Sequence, residues 1–390
     1  MQQQALKMPV PELHLSEETS PVATVFSSIC MFGREAWNAC FPDEIETFDY
    51  LLAVEEAGIA GFDWRYVVVR EGKDIIAAMP AFLCDYGLET TLGAGYIRRA
   101  VEKVRGVFKR FLTLRLACLG SPCTETGVIG FHPSIDEARR PALFSLLLDA
   151  FEAHARKERC SLMALKDLVQ PLPPGIASAL SARLYADLGG MPTAWLDIDF
   201  KTIDEYFAML SSATRKDMRR KLRSREKIRV EYRDSFGDLL PRVMQLYLDT
   251  RQRSEWQFEE LTPDYFDGIL KRMPENSFCA MYFAGDELLA ANLMIHRGDT
   301  LIDKFFCMDA EKGRAHNLYY LSWFTNLDYC LRHGFRRYQS GQAYYRNKVR
   351  LGSRLTANAM YFRHRTPLLQ FILRKISPLL AADDGAEAMP

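Results

Sequence analysis

One supersecondary pattern occurs twice along the 390-residue chain, and this repeat limits the fold more than any single motif does. Residues 71–80 (EGKDIIAAMP) and 284–293 (AGDELLAANL) each place a Gly-centred turn between two apolar runs, which predicts two β-hairpins. Residues 142–156 and 318–332 show helical periodicity, and an apolar run typical of a strand follows each of them. Each half of the chain is therefore expected to contain a hairpin, a helix and a strand in that order.

This repeat predicts a mixed α/β protein of two tandem domains, at residues 26–200 and 201–380. The spacing between hairpin and helix is longer in the first half, so residues 92–116 are expected to form a basic helical insertion. The polar stretches 1–25 and 381–390 are expected to be disordered tails.

Within the insertion, residues 96–115 (YIRRAVEKVRGVFKRFLTLR) carry apolar side chains at helical spacing beside arginines and lysines. Two interpretations remain open for this segment. It either packs on its domain as an ordinary amphipathic helix, or it presents a basic surface for peripheral contact with a membrane or an anionic ligand.

Composition excludes several classes of protein. With 48% hydrophobic and 26% charged residues the chain is neither disordered nor fibrous, and fifty basic against fifty acidic residues create no overall attraction to nucleic acid. The nine cysteines form no C-x-x-C pair and no zinc spacing, which favours free thiols in a reducing compartment. Because neither a signal peptide nor an apolar run of about 18 residues is present, we expect a cytoplasmic protein without a transmembrane segment.

A strongly basic helix is expected over residues 211–230. Ser211, Ser212 or Thr214 can cap its start through a side-chain oxygen. Arginines recur every four residues on one face, and Arg219 is among them. This face is either simply solvated or it meets an anion or an acidic partner.

A strand-turn-helix junction precedes residue 320. Gly313 and Arg314 come before the helix, and His316 and Asn317 begin it, so the free amides of its first turn can receive an anionic group such as a pyrophosphate. The final predicted strand then leads into a basic, aromatic loop around Tyr345 and Lys348. This loop either holds a negative ligand or packs a tyrosine corner on the sheet.

The second half resembles the GNAT (N-acetyltransferase) fold, in the branch where CelD-like and FemAB-like proteins carry two such domains in tandem. The likeness is carried by TRKDMRRKLR (214–223), by the strands of residues 287–309, by HNLYYLSWFTNLDYCLRHGFRRYQSG (316–341) and by YYRNKVRLG (344–352). Residues 35–58 and the first hairpin carry it more loosely in the first half. The resemblance implies two GNAT-like domains, each a twisted mixed sheet flanked by helices, of which the second is active and the first degenerate.

The resemblance also implies transfer of an acyl group from acyl-CoA, bound as a cosubstrate, to a small-molecule amine, without a tightly bound cofactor or a metal. GNAT domains that bind acetyl-CoA carry a Gln/Arg-x-x-Gly-x-Gly/Ala loop, whereas residues 309–316 contain one glycine. A Fem-like enzyme that takes an aminoacyl group from transfer RNA is the first alternative. A non-catalytic binding protein for an anionic polymer or a membrane is the second.

Asp303 and His296, on neighbouring predicted strands, are the expected general bases, and Tyr320 can donate a proton to the leaving group. Each has an ordinary structural alternative: an ion pair of Asp303 with Arg297 or Lys304, a hydrogen-bonded strand histidine, and a packed tyrosine. The residues expected to bind acyl-CoA are Gly313, Arg314, His316, Asn317 and Tyr319. The residues expected to line the substrate site are Asn292, Lys304, Gln339, Gln342, Tyr345, Lys348 and Arg219.

Overall fold

The computed structural model describes residues 20–87, 113–254 and 258–375, which fold into two mixed β-sheets with helices packed against them. The strands are β1 (Val22–Phe26), β2 (Phe62–Glu71), β3 (Asp74–Gly87), β4 (Thr113–Leu119), β5 (Gly130–Phe131), β6 (Leu162–Val169), β7 (Ala186–Gly189), β8 (Thr193–Asp197), β9 (Arg229–Arg233), β10 (Ser277–Ala284), β11 (Glu287–Arg297), β12 (Thr300–Met308), β13 (Arg337–Gly341), β14 (Arg354–Thr356) and β15 (Asn358–His364). The predicted mixed α/β class is confirmed.

The helices pack on both sheets. They are α1 (Arg34–Asn38), α2 (Phe48–Glu56), α3 (Arg140–Lys157), α4 (Pro174–Ala182), α5 (Ile203–Met209), α6 (Ser212–Lys221), α7 (Leu240–Gln252), α8 (Pro263–Arg272), α9 (Lys312–Ala315), α10 (Leu318–His333) and α11 (Tyr345–Arg350). A further helical segment covers residues 367–375. Among the helices of the described ranges, none is both long enough and apolar enough to cross a membrane.

Both predicted hairpins are present at the two halves' equivalent positions. β2 and β3 pair across a turn in which Gly72 has φ 61°, and β10 and β11 pair across a turn in which Gly285 has φ 60°. A positive φ of this size favours glycine because glycine lacks a Cβ. In each half a long helix and then a strand follow downstream, as α3 and β6 and as α10 and β13. The predicted order of elements is confirmed.

The two sheets exchange strands, which the sequence did not indicate. The first sheet has the order β1-β2-β3-β4-β6-β15-β7, with β5 beside β3, and the second has the order β14-β8-β13-β12-β11-β10-β9. β8, expected to end the first domain, lies between β13 and β14, and β15 from the second half lies between β6 and β7. A division at residue 200 therefore does not separate the sheets, because strand patterns carry no information about which strand is the partner.

Two smaller expectations also need correction. β1 begins at Val22, inside the stretch predicted as a tail, because its β-branched run pairs with β2. The basic helix predicted for residues 211–230 ends as an α-helix at Lys221, continues as a 3₁₀ helix to Lys227 and leads into β9. Ser211 is its cap, since its side chain accepts from the Thr214 amide at 3.2 Å. The predicted insertion at 92–116, with its 96–115 segment, lies almost entirely outside the described residues, as does the tail at 381–390.

The two halves share one hydrophobic core. A single buried cluster joins Trp37 and Tyr50 of the first half to Tyr247 and Tyr265 of the second, and the hydroxyls of Tyr50 and Tyr265 lie 3.3 Å apart. The Arg297 Nε also donates to a carbonyl of the first half, at Glu44, over 3.1 Å. A large apolar contact restricts the motion of one half of the chain relative to the other. Side chains of the first half can therefore contribute to a site in the second.

Candidate functional site

Two parallel strands at the middle of the second sheet separate part-way along their length. β12 and β13 pair over three positions, of which the last joins Ile302 to Gln339. The next residues, Asp303 on β12 and Ser340 on β13, no longer pair with each other. We call the opening that begins between Asp303 and Ser340 the wedge. Polar groups from both halves of the chain collect around it.

Asp303 lies at the start of the wedge and is held by two neighbours. The Tyr338 hydroxyl donates to its Oδ2 at 2.9 Å, and Asn326 Nδ2 lies 3.3 Å from the same oxygen. Part of Asp303 remains accessible, but its surroundings exclude enough water for desolvation to raise the pKa of the carboxyl to about 6. The Tyr338 hydrogen bond and the positive charge of Lys348 oppose this rise. A carboxylate with this pKa is suited to accept a proton near neutral pH.

Lys348 of α11 extends its ammonium group into the wedge. Its Nζ donates to the main-chain carbonyls of Ser340 and Gln342, to the latter at 2.9 Å, and the residue is 4% exposed. Burial lowers the pKa of this ammonium to about 8, although the negative charges of Asp303 and Glu125 oppose the change. The wedge thus holds an acid with a raised pKa near a base with a lowered pKa, an arrangement that clusters at functional sites.

The turn that carries Lys348 into place has an unusual backbone. Gly341, Ala343 and Tyr344 have φ values of 72°, 63° and 56°, and for the two non-glycine residues this conformation costs about 1–2 kcal/mol each. Gln342 Nε2 holds the turn by donating to two carbonyls of the first half at 3.1 and 2.9 Å, and the Tyr345 hydroxyl donates to a third at 2.9 Å. Strain of this kind, offset by several anchors, is common at functional sites.

The first half supplies an acid to this site through Glu125. Its carbonyl accepts from Thr193 Oγ1 at 3.2 Å, Gln342 Nε2 at 3.1 Å and Asn358 Nδ2 at 3.2 Å, which fixes the loop that carries it. Its carboxylate accepts from Lys304 Nζ at 2.9 Å. The first half of the chain therefore contributes to the site, because the negative charge of Glu125 acts on both Asp303 and Lys348.

Several buried polar atoms beside Asp303 lack hydrogen-bond partners within the described part of the chain. They are Oδ1 of Asn292, the hydroxyl of Tyr319 and Oγ of Ser340. Asn292 is 0% exposed, and a hydrogen bond from its side chain helps to keep the pKa of Asp303 from rising further. Unpaired buried polar groups are rare because each costs about 1–3 kcal/mol. A group of unpaired buried polar atoms at one place is suited to bind a polar ligand that forms the missing hydrogen bonds.

A cavity of about 210 Å³ lies where α10 begins. Its lining is Lys221, Met308, Gly313, Arg314, Asn317, Leu318, Tyr319 and Tyr320. It brings together two cationic side chains, the start of a 16-residue helix and the buried Tyr319 hydroxyl. The Lys221 ammonium also lies 3.6 Å from the centre of the Tyr320 ring. Lys221 is also paired with Asp217 at 3.1 Å, but the lining itself contains two cations and no acid, and such a pocket at a helix N-terminus is suited to an anionic group.

Five of the residues named from the sequence therefore line one cavity: Gly313, Arg314, Asn317, Tyr319 and Tyr320. His316 is not in this lining, and its main-chain carbonyl instead accepts from the Ser224 hydroxyl. Asn292, Gln342, Tyr345 and Lys348 surround the wedge. That any of these residues binds a donor or an acceptor stays a prediction.

The other named residues lie elsewhere. His296 packs against Phe335 with ring centroids 5.3 Å apart, at the opposite end of β12 and β13 from the wedge, and desolvation lowers its pKa. Arg219 lies over the Phe207 ring and not in the cavity, which Lys221 of the same helix reaches. Gln339 is buried at the last paired position before the wedge, and Lys304 turns away from Asp303 towards Glu125. The alternative interpretation, an ion pair of Asp303 with Lys304 or Arg297, is not what the structure shows: Lys304 pairs with Glu125, and Arg297 donates to the Glu44 carbonyl.

Sequence reasoning missed three residues of the site. Asn326 carried a usable signal, because it and Ser322 are polar residues in the buried stripe of α10, whose other members are mainly apolar. Tyr338 gave no sign beyond strand propensity. Glu125 lies in a loop of the first half and reaches the wedge only through the tertiary fold.

The cysteines do not supply a nucleophile at this site. All nine are free, and eight are buried. Burial raises the pKa of each buried thiol, for example to about 12 in Cys279 and Cys307. A thiol with such a pKa is a poor nucleophile near neutral pH. Within residues 20–87, 113–254 and 258–375, no three His, Cys, Asp or Glu side chains form a group that could hold a metal ion.

Comparison with solved structures supports the tandem arrangement. The chain is similar to FemX, with 14% identity, a TM-score of 0.55 and coverage of 87% of this chain and 97% of the other. It is also similar to a tandem GNAT protein from the clavulanic acid biosynthesis pathway, with 13% identity, a TM-score of 0.53 and coverage of 89% and 99%. L-PGS from Bacillus licheniformis matches with 11% identity, a TM-score of 0.50 and coverage of 86% and 97%. At these identities the likeness shows the fold, two GNAT-like domains in tandem.

No curated protein matches the chain in sequence. One family does match: residues 128–375 correspond to the FemAB-like family, described as peptidoglycan biosynthesis/recognition. The match covers more than half of the chain and includes the wedge, the cavity and the loop of Lys348. The FemAB-like resemblance noted from the sequence is thereby confirmed, and the chain belongs to the FemAB-like family.

Proposed function

We propose that this protein transfers an acyl group from acyl-CoA to an amine, with the reaction centred on Asp303 and Lys348. The observation that carries the proposal is their opposed pKa shifts at one wedge, to about 6 and about 8. The charges at the cavity and the unpaired polar atoms beside Asp303 support the same assignment.

In this reaction the amine nitrogen attacks the carbonyl carbon of the thioester, and a new C–N bond forms. Asp303 accepts the proton that the nitrogen loses. The Lys348 ammonium stabilises the negative oxygen of the tetrahedral intermediate, an effect worth about 3–4 kcal/mol when a donor is pre-positioned in a dry site. The C–S bond then breaks, the leaving thiolate takes up a proton from solvent, and Asp303 releases the proton that it accepted, so that the enzyme returns to its starting state.

The anionic end of the donor would occupy the cavity at the start of α10. Lys221 and Arg314 provide positive charge there, and the helix start adds a favourable dipole. Tyr319 belongs both to this lining and to the unpaired polar groups near Asp303. In this proposal the donor extends from the cavity past Tyr319 towards the wedge.

A second donor is favoured by the family. FemAB-like proteins are described as acting in peptidoglycan biosynthesis or recognition, and the fold is shared with FemX, so an aminoacyl group carried by transfer RNA is the alternative. The same Asp303 and Lys348 chemistry would then break a C–O ester bond in place of C–S. Contacts to phosphates would make binding weaken steeply as salt rises.

The experiment that separates these donors uses two readouts on one protein preparation. Release of free thiol is followed with acyl-CoAs of several lengths, and transfer of labelled amino acid is followed with aminoacyl-transfer RNA, each with a panel of amines. Acyl-CoA turnover that Arg314→Ala reduces, and that Arg223→Ala on an exposed site outside the cavity lining does not, would support the proposal. Turnover with transfer RNA alone would replace it by the second donor, and turnover with neither would overturn both.

A further inference from the structure

The C-terminal helical segment, residues 367–375, presents its apolar side to solvent. Leu368 is 68% exposed, Phe371 61%, Ile372 44% and Leu369 43%, whereas the polar Gln370 is 6% exposed. A surface helix ordinarily buries its apolar face and exposes its polar one. Here four apolar side chains are exposed, and Leu373 packs only partly against the body of the protein.

Hydrogen bonds to Gln370 fix this orientation. Its Oε1 accepts from the His364 amide at 2.7 Å, and its Nε2 donates to the Leu184 carbonyl at 3.0 Å. The His364 Nδ1 in turn accepts from the Thr366 amide at 3.0 Å, just before the helix begins. Rolling the helix to hide its leucines would break these buried bonds. The exposed apolar side is therefore a feature of the fold, and not of a loosely attached end.

The surrounding surface extends this apolar side and gives it a charge. Leu184, whose carbonyl receives the Gln370 bond, is itself 59% exposed. Residues 365–375 contain no acidic residue, while Arg365, Arg374 and Lys375 are exposed. Clusters of exposed apolar residues of this kind mark interaction sites in soluble proteins. Here the site combines apolar side chains with positive charge.

The helix packs on one end of the first sheet. Leu373 shares a small hydrophobic cluster with Tyr86 and Leu114, which lie near the facing ends of β3 and β4. The chain that connects those ends, residues 88–112, lies outside the described residues and forms no part of the proposed site. A second copy of the protein docked on this surface would bring Arg365, Arg374 and Lys375 against the same three cations, which is unfavourable.

We propose that residues 365–375 together with Leu184 form a docking surface for an anionic lipid bilayer. The exposed leucines, Phe371 and Ile372 would enter the boundary between headgroups and acyl chains, and the cations would meet lipid phosphates. Apolar insertion and electrostatic attraction are the two contributions that hold interfacial helices on membranes. The peripheral contact expected from residues 96–115 is a separate expectation and is not needed for this one.

The test is co-sedimentation of the full chain with vesicles of phosphatidylcholine, with and without about one-third phosphatidylglycerol. We expect binding to the anionic vesicles, weaker binding to neutral ones, and partial loss in high salt. Leu368→Asp and Phe371→Asp should each reduce the partition coefficient at least about tenfold, because a charge replaces an inserted apolar group. Met209→Asp is the matched control, since Met209 is equally exposed, at 62%, on a different helix.

Thermal melts of each variant check that it folds, which is expected because the changed side chains are at the surface. The proposal is overturned if the unmodified protein stays in the supernatant with anionic vesicles, or if Phe371→Asp binds them as well as Met209→Asp does. It is also overturned if the protein forms a dimer in solution that Phe371→Asp dissociates while vesicle binding is absent. None of these measurements requires an acyl donor, so they do not depend on the proposed transferase activity.

Discussion

Replacing Asp303 with asparagine should stabilise the folded protein while it removes the proposed base. Asparagine keeps the shape of the side chain, and its amide oxygen can still accept from the Tyr338 hydroxyl. It cannot ionise, so the variant avoids placing a negative charge where water is largely excluded. A gain in stability together with a loss of activity is typical of residues kept for function.

The magnitude follows from the pKa. Folding raises the pKa of Asp303 from about 3.8 to about 6, because desolvation disfavours the charged form. Between those values the unfolded chain loses its proton and the folded chain keeps it, so the original protein loses stability as pH rises from about 4 to about 6. At 1.36 kcal/mol per pKa unit the total is about 3 kcal/mol. Partial exposure of Asp303 and its coupling to Lys348 make this an upper bound.

Urea unfolding at a series of pH values from 4 to 8 measures the effect. The difference in free energy of unfolding between Asp303→Asn and the original protein should grow in favour of the variant up to about pH 6 and then level off. Asp286→Asn, in the exposed turn between β10 and β11, is the control and should show no such growth. A constant difference between pH 4 and pH 8 would refute the reasoning, since Asp303 would then have an ordinary pKa.

Two further substitutions test the remaining charges. Lys348→Met should lower the transfer rate by roughly 100-fold, because only the protonated ammonium stabilises the oxyanion. The variant should also lose the alkaline limb of the pH–rate profile near pH 8. If that limb persists in the variant, another group is responsible for it. Glu46→Gln concerns a fully buried acid whose pKa desolvation raises to about 8, so the original protein should lose stability as pH rises from about 4.5 to 8. The glutamine oxygen can still accept from Thr124 Oγ1. Urea titrations should show the variant ahead by up to about 5 kcal/mol at pH 9 and by much less at pH 5. Equal pH dependence in both proteins would contradict this.

The sequence predicted those elements that are specified by residues only a few positions apart. The two hairpins could be found because a glycine with positive φ and two flanking apolar runs are enough to specify such a turn. The start of α6 could be placed near residue 211 because a capping hydroxyl acts on amides only three residues away. The length of α6 could not, since the chain must leave the helix early to form β9 beside β10.

The candidate site was predicted in part for the same reason. Gly313, Arg314 and Asn317 lie together before one helix, so a sequence pattern locates the cavity that they line. Asp303 and Lys348 were named separately, 45 positions apart in the sequence, and nothing in it showed that they act on each other. His296 was named by the same strand reasoning as Asp303 and lies at the wrong end of the strands.

By itself the sequence determined a mixed α/β chain in which a hairpin, a helix and a strand occur twice. It could do so because the spacing of apolar side chains reflects which side of each element is buried away from water. The tertiary structure alone decided which strands pair, and so exchanged β8 and β15 between the sheets. It also brought Glu125 to the wedge and turned the leucines of residues 367–375 outward. The physical reason is that pairing, burial and pKa depend on neighbours that are distant along the chain, and a single sequence does not record those distances.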